Sequence, residues 1–338
     1  VETSPREADY PLSRPFPDFL RWDTGRAMNS GGAMGAATTP VPSTTLGEED
    51  LPPLFRQSDE RALRHQRESF QSVRKHLSVL LLATAAAVMA EQVPSHVGAL
   101  CAAALYGLTI GIGLHTSRRR ARAHWQAHRA VAELLKSLAW QYMVHGGPFH
   151  SRVADPDALF AERVEERLRE LRKCGWEDTR DGAGERGAGQ ITPRMRAVRA
   201  KPFVTRRDIY LRDRLLEQAV WYRNRAARAH RASARWSTVT ALLTLLALTA
   251  AVLRSIGLIE GWDLAGLLSA GAAAGVAWQE VRRHRPLTYA HSLIEQDLET
   301  ARIAMSTTVT EAGWADAVAE TERLVSPAHT EWLVRFGM

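Results

Sequence analysis

Trp236-Ser237-Thr238-Val239-Thr240-Ala241-Leu242-Leu243-Thr244-Leu245-Leu246-Ala247-Leu248-Thr249-Ala250-Ala251-Val252-Leu253 runs without a charge. A helix on a soluble core carries a polar stripe that returns every 3.6 residues, and this stretch has none. At about 1.5 Å per residue it spans roughly 26 Å as a helix, close to the ~30 Å hydrocarbon core of a bilayer. Three further stretches share its character: Leu77–Val93, with Glu91 near its end as the one charge, Val97–Leu114, and Leu264–Trp278. The last is the weakest. It is short, dominated by Ala and Gly, and reaches spanning length only with Trp262 and Asp263.

The four stretches form two pairs. Pro94-Ser95-His96 breaks the first, and Arg254 to Asp263, with two glycines, breaks the second. Arginine crowds against the outer ends of the pairs: Arg61, Arg64, Arg67, Arg74 and Lys75; Arg118, Arg119, Arg120 and Arg122; Arg223, Arg225, Arg228, Arg231 and Arg235; Arg282, Arg283 and Arg285. The breaks hold a single basic residue, Arg254. If each pair is a hairpin through a membrane, every cluster falls on one side, which the positive-inside rule makes cytoplasmic. Trp236 and Trp278 then mark the inner interface and Trp262 the outer one. A soluble bundle with two buried hairpins is the rival fold, and the missing polar stripe argues against it. The expectation is an all-α membrane protein: two helix–transmembrane hairpin–helix units with long cytoplasmic helices, four transmembrane helices in total. It would sit in the bacterial inner membrane, multi-pass, with both termini cytoplasmic.

Whole-chain averages hide this pattern. The chain has 338 residues, 44 Lys and Arg against 37 Asp and Glu, a net charge of +7, and 45% hydrophobic and 24% charged residues. Such values exclude a wholly disordered or collagen-like chain, and two cysteines exclude a disulfide scaffold.

Residues 1–50, rich in Pro, Ser, Thr and Gly, read as disordered and carry no secretory signal. The chain opens on Val, so Met28 or Met34 is a candidate start. From Leu51 to Lys75 the pattern turns helical, with Ser58 as candidate N-cap. A helix through Trp125–Tyr142 carries the stripe Val131, Leu134, Leu135, Leu138 and Tyr142 and stops at Gly146-Gly147-Pro148. Residues 155–173 form a charged helix with Asp155 as N-cap and Pro156 in first position. Gly182 to Gly189 then reads as a linker; no Gly-Lys-Ser/Thr follows to make it a phosphate loop. The second half repeats the plan: a basic helix over Asp208–Arg235, the hairpin, a helix over Tyr289–Thr307 with Leu293, Ile294, Leu298 and Ile303 inward, then helices over Trp314–Leu324 and Pro327–Phe336, the last capped by Ser326. The domains expected are 1–50 disordered, 51–150 with hairpin 77–114, 151–204 as charged helix and linker, and 205–338 with hairpin 236–278.

The run Tyr210-Leu211-Arg212-Asp213-Arg214-Leu215-Leu216-Glu217-Gln218-Ala219-Val220-Trp221-Tyr222 resembles the opening helix of SLATT domains, and Trp314, Glu322, Ser326, His329-Thr330-Glu331-Trp332 resemble their close. Leu51-Pro52-Pro53-Leu54-Phe55, Trp125, Ala132-Glu133-Leu134-Leu135-Lys136, Trp140-Gln141-Tyr142 and Gly147-Pro148-Phe149 resemble a second subtype. These are small bacterial modules with two transmembrane helices, found beside nucleotide second-messenger synthases or their sensors. The resemblance implies an effector that perforates or depolarises the membrane in antiphage defence. The positions it marks are Trp125, Glu133, Trp140, Gln218, Trp221, Tyr222, Glu322 and Trp332. The usual accompanying sensor domain is absent, so the trigger would come from a cytoplasmic sensor protein or a nucleotide second messenger.

No catalytic set stands out, and the expectation is a protein that is not an enzyme and uses no cofactor or metal. Cys101 and Cys174 do not pair as zinc ligands, and His124 and His128 share a helix face without a third ligand in sequence. Gly107/Gly111 and Gly271/Gly275 are small-xxx-small motifs, which let helix backbones approach in lipid; they serve packing within or between the hairpins, or oligomer contacts. Thr84, Thr109, Thr240, Thr244, Thr249 and Ser269 are the polar residues available to line a channel, although such hydroxyls also bond to their own helix. No Asp, Glu or Lys lies mid-membrane, against an ion-coupled transporter. Arg118, Arg119, Arg120, Arg235, Arg282, Arg283 and Arg285 would contact headgroups or ring an anion-favouring inner mouth. The partners expected are the lipid bilayer and further copies of the chain, and no nucleic acid. The first function expected is an oligomeric pore gated from the cytoplasmic side; the alternative is a non-conducting anchor or scaffold.

Overall fold

The computed structural model describes residues 46–92, 96–119, 121–173, 176–177, 187–259, 261–307 and 309–326. Among them every regular element is helical. The expectations placed on residues 1–45, Cys174, Gly182–Arg186, Pro327–Phe336 and Trp332 lie outside the described residues, as do the side chains of Arg118, Arg119 and Arg120.

Helix α1 runs unbroken over Pro53–Ala90 and α7 over Glu217–Ser255. Each joins a polar first half to an apolar second half, so each crosses from one environment into another without a hinge. Helix α2 (His96–Arg119) folds back along α1, and α8 (Leu264–Arg282) along α7. Helices α3 (Ala121–Val144) and α9 (His284–Thr307) then pack on the polar halves of α1 and α7. The helix–hairpin–helix plan is therefore present twice. The two hairpins touch through α1 and α8, where Phe70 and Trp278 meet edge to face at 6.4 Å and the Arg282 guanidinium lies 4.1 Å over the Phe70 ring.

Helix α1 starts at Pro53 with Pro52 before it, not at Ser58, which is buried inside the helix. Proline needs no hydrogen-bond partner in the first turn, so the Pro52-Pro53 pair itself sets the start. Helical order also begins before residue 50, with a 3-10 turn over Glu48–Asp50 and a buried Leu51. Asp155 accepts from Ala158 N at 2.9 Å as α4 (Pro156–Lys173) begins. Helix α10 (Trp314–Leu324) occupies the span its sequence predicts.

The stretch 151–204 does more than connect. Phe160, Val164 and Leu168 of α4, with Met195 and Val198 of α5 (Pro193–Arg199), are buried in the same core as Val131, Leu135 and Tyr142. Arg199 donates to the carbonyls of Tyr142 (2.6 Å) and Phe149 (3.1 Å), and Arg206 of α6 (Phe203–Ile209) to that of Val144 (3.2 Å). These guanidiniums supply the donors and the positive charge that the end of α3 needs. Trp314 Nε1 donates to the same Val144 carbonyl at 2.7 Å, so the second half is stitched to the end of α3. On α9, Ile294 and Leu298 face inward as expected but Ile303 is 52% exposed. Met305 takes the inward position in that turn instead.

Candidate functional site

Among the described residues three helical runs are long and apolar enough to cross a membrane: α1, the run beginning at His96 and the run Phe203–Ser255 that contains α7. Only 11% of each apolar window is buried within the chain. Leu100, Ile110, Leu245 and Leu248 are all more than half exposed. A contiguous apolar surface of this kind needs a covering, and its length matches a lipid core. The Ala- and Gly-rich α8 is not among the three runs.

The two glycine motifs separate. A Cβ on Gly275 would stand 2.7 Å from Thr240 Cγ2, and one on Gly271 3.7 Å from Leu243 Cδ1, so this pair lets α8 close on α7. A Cβ on Gly107 or Gly111 would meet nothing within 4 Å. Among the described residues, the motif on α2 therefore packs against nothing. Gly275→Leu should push the α7/α8 hairpin apart and destabilise by about 1–3 kcal/mol, the usual effect of overpacking. Gly107→Leu should leave the fold stable. Thermal unfolding midpoints in detergent separate the two.

The threonines bond to their own helices. Thr84 donates to Leu80 O, Thr109 to Leu105 O, Thr240 to Trp236 O, Thr244 to Thr240 O and Thr249 to Leu245 O, all at 2.8–3.0 Å. Thr109 is also buried, whereas Ser269 is exposed. The arginines differ among themselves. Arg282 stacks on Phe70 and Trp278, Arg285 donates to Ser237 Oγ at 3.2 Å, and Arg235 is exposed. Arg283 closes α8 in a left-handed conformation (φ 47°), which turns the chain into α9.

Beyond the apolar halves, the family-like positions turn out to be core. Trp125 is buried and packs on Phe70 at 6.3 Å. Trp140 is buried against Tyr210 at 5.9 Å, Trp221 meets Tyr222 at 5.0 Å, and Gln218 and Tyr222 are buried. Two ion clusters lie among them. Arg129 on α3 pairs with Asp59 on α1 at 2.7 Å and with Glu133 one turn on, all three side chains under 10% exposed. Burial raises the Asp59 carboxyl above its ordinary value, partly offset by Arg129. Arg214 pairs with Glu322 at 2.7 Å, both side chains 2% exposed, and Tyr210 donates its hydroxyl to the same carboxylate at 3.0 Å. Burial works against the Arg214 charge, yet Glu322 holds the guanidinium above its usual range; burial and Glu322 together hold the Tyr210 phenol well above its own.

Sequence reasoning found Glu133, Glu322, Trp140 and Tyr222 only by resemblance. It missed Asp59, Arg129 and Arg214 as buried charges, and it missed that Tyr210–Leu216 is a π-helical stretch between α6 and α7. His65, absent from the sequence reading, stacks on His128 at 5.9 Å and lies 5.7 Å from His124. Burial pushes His128 down to about 4, and no group among the described residues is arranged to hold a metal ion.

Two family profiles match the chain. One, SMODS and SLOG-associating 2TM effector domain 3, covers residues 52–207; the other, SMODS and SLOG-associating 2TM effector domain 1, covers 210–332. The chain is a tandem of two different SLATT domains. No curated protein and no solved structure was found to match it. The first SLATT match runs on through α4 and α5, in keeping with their place in the core, and the two matches meet at the π-helical stretch. SLATT domains are two-transmembrane effector domains associated with SMODS and SLOG conflict systems, and the apolar helices make this chain a membrane protein.

Proposed function

We propose that the tandem SLATT chain permeabilises the bacterial inner membrane as an oligomer, without catalysis, and that its cytoplasmic helices gate it. In this reading all four apolar stretches span, α8 supplying the second crossing of the second domain, and both termini face the cytoplasm. The observation that carries the reading is the α2 face around Gly107 and Gly111. It offers a close-approach surface that none of the described residues fills, while the matching motif on α8 is filled by α7. In lipid, such a surface gains by packing against another helix. The unbroken α1 and α7 give the means of gating, since each joins a buried ion cluster to an apolar segment.

A non-conducting scaffold is the second reading. The threonine hydroxyls favour it, because each already donates within its own helix and leaves only acceptor lone pairs for an aqueous path. A voltage-sensitive dye in bacteria expressing the chain separates the two. Depolarisation that is lost in Gly107→Leu/Gly111→Leu, with the protein still in the membrane, is the expected result. Depolarisation that survives the substitution rejects the α2 contact. Absence of depolarisation, with the protein confirmed in the membrane and expressed to the same level, rejects the pore.

A further inference from the structure

A groove of about 1110 Å³ runs along the α7/α8 hairpin. One face of α7 lines it, with Ser237, Thr240, Thr244 and Leu248 following one another at helical spacing. Val276, Gln279, Glu280 and Arg283 line it from α8 at the same spacing, and the turn into α9 closes its polar end. The two ends differ in character. In the apolar run Leu245, Leu248 and Val276 are all more than half exposed, so this end is open to whatever covers the hairpin. At the other end stand Glu280, Arg283, His284 and Arg285. From Ser233 to Leu248 the groove follows α7 for roughly 22 Å, at ~1.5 Å per residue. One leaflet is about half of a ~30 Å hydrocarbon core, so the groove takes in the interface as well as a leaflet. A polar mouth leading into an open apolar channel of this length has the shape of one phospholipid.

The mouth selects the headgroup. Arg283 and Arg285 are both exposed. The Arg283 side chain makes no hydrogen bond or ion pair among the described residues. Arg285 reaches across to α7, where Nη2 donates to Ser237 Oγ at 3.2 Å, and its other nitrogens are open to a ligand. Burial, then the Arg282 and Arg225 charges, holds His284 below its ordinary value, so its ring adds no charge at neutral pH. Glu280, also exposed, is the one acid lining the groove. Two guanidiniums against one carboxylate leave a surplus positive charge. A phosphodiester suits the guanidiniums, which bond to phosphate oxygens in pairs. Glu280 then asks for a donor and repels a second negative charge. The hydroxyls of a glycerol headgroup meet both conditions. A choline headgroup has no donor for Glu280, and an ethanolamine headgroup cancels its own phosphate and leaves the surplus charge unmatched. We infer that this groove holds an anionic phospholipid with a hydroxylated headgroup, its phosphate on Arg283 and Arg285, its headgroup against Glu280 and an acyl chain along Thr244, Leu248 and Val276.

Such a lipid would brace the hairpin. It touches α7, the end of α8 and the start of α9 at once, at the left-handed turn of Arg283. A ligand that binds the folded chain and not the unfolded one stabilises it. The inference rests on the reading that α8 crosses the bilayer beside α7, and it is independent of conduction. A general attraction of basic residues to an anionic surface makes a different prediction, because Arg231 and Arg235 of α7 are equally exposed and lie outside the groove.

The test uses the full chain purified in mild detergent. It is titrated with phosphatidylglycerol, phosphatidylethanolamine and phosphatidylcholine of equal chain length, and bound lipid is counted by native mass spectrometry. Retention of phosphatidylglycerol in preference to the other two, saturating at a single lipid per chain, is expected. Arg283→Gln/Arg285→Gln should weaken its binding about tenfold or more, at roughly fivefold for each charge near an anionic lipid. Arg231→Gln/Arg235→Gln, which removes as much charge outside the groove, should change it little. Thr244→Phe fills the acyl channel, leaves both arginines in place and should weaken binding as well. Phosphatidylglycerol should raise the thermal midpoint of the native chain and not that of the groove variants, and equal midpoints without lipid verify that their folds are intact. Equal losses in the two arginine pairs, binding untouched by Thr244→Phe, or equal or tighter retention of phosphatidylethanolamine or phosphatidylcholine would overturn the site. Ser255→Cys, in the turn between α7 and α8, separates that failure from a failure of the crossing. Labelling by an impermeant maleimide in spheroplasts, above the background of the native chain, establishes the crossing, so that a missing lipid preference counts against the groove alone. Labelling only after lysis overturns the crossing and the lipid site with it.

Discussion

Replacing Glu322 by alanine is expected to destabilise the cytoplasmic core by about 3–5 kcal/mol, the usual result of removing one partner from a buried ion pair. The cost comes from what is left behind. Arg214 is 2% exposed and gives two of its nitrogens to Glu322, at 3.0 and 2.7 Å. Without the carboxylate it is a buried charge stripped of its hydrogen-bonded partner, with Glu133 as a weaker influence. Tyr210, fully buried, loses the carboxylate it donates to as well. An orphaned hydroxyl adds about 1–3 kcal/mol. Glu322→Gln should cost less, because the amide oxygen still accepts from Tyr210 or Arg214. Arg214→Met/Glu322→Leu should recover much of the loss, since buried pairs replaced by apolar residues of similar size are often neutral. Thermal unfolding and protease resistance of the native chain and these variants check the order: native most stable, Gln and the double variant below it, the double variant still lacking an acceptor for Tyr210, and Ala least. A single alanine that costs no more than an exposed substitution would show that the pair is not dry. The position also matters beyond stability. The pair ties α10 to the π-helical stretch that opens α7, so loosening it frees one end of a membrane-crossing helix.

Local patterns in the sequence carried the helices but not their partners. The run Trp236–Leu253 is apolar on every side and its neighbours are arginines, a property of adjacent residues that needs no fold to be seen. The same holds for the stripe from Val131 to Tyr142 and for α10. Proline at Pro53 set a boundary that the search for a polar cap placed too late, because Ser58 looks like a cap and is instead a small buried residue. Ile303 failed because its apolar character, and not its spacing, placed it inward: at 3.6 residues per turn it lies about half a turn round from Ile294, whereas Met305 lies almost in line with it and reaches the core. The residues that were missed are joined across the chain. Arg129 and Asp59 are 70 positions apart, and Arg214 and Glu322 are 108 apart. Each alone reads as one more charge on a basic helix, since nothing local marks a guanidinium that will be buried. Gly107 and Gly275 show the same limit in the membrane. Their motifs are alike in sequence, and only the fold distinguishes the one that packs at home from the one that faces outward.

Replacing Arg129 by leucine is expected to be as damaging as the loss of Glu322 at neutral pH, about 3–5 kcal/mol, and to be relieved by acid. Arg129 stands between Asp59 on α1 and Glu133 on its own helix, and both carboxylates are nearly as buried as it is. Leucine fills part of the space but leaves two buried acids facing each other. In the native protein burial already holds the Asp59 carboxyl above its ordinary value, and Glu133 pushes the same way; Arg129 is the largest influence opposing them. An acid whose folded value is raised binds its proton more tightly folded than unfolded. Its favourable contribution is present at low pH and is lost as pH rises through the folded value. Without Arg129 that value rises further, so the variant gains more from acidification than the native chain does. The gap in thermal midpoint between native and Arg129→Leu should therefore be widest at neutral pH and narrow as acidification lets the raised Asp59 carboxyl take up its proton. Asp59→Asn/Arg129→Leu should cost less than the two single changes added together, because the asparagine removes the charge that the leucine stranded. A gap that stays constant with pH would mean that water reaches the cluster and that α1 and α3 are held by their apolar contacts alone.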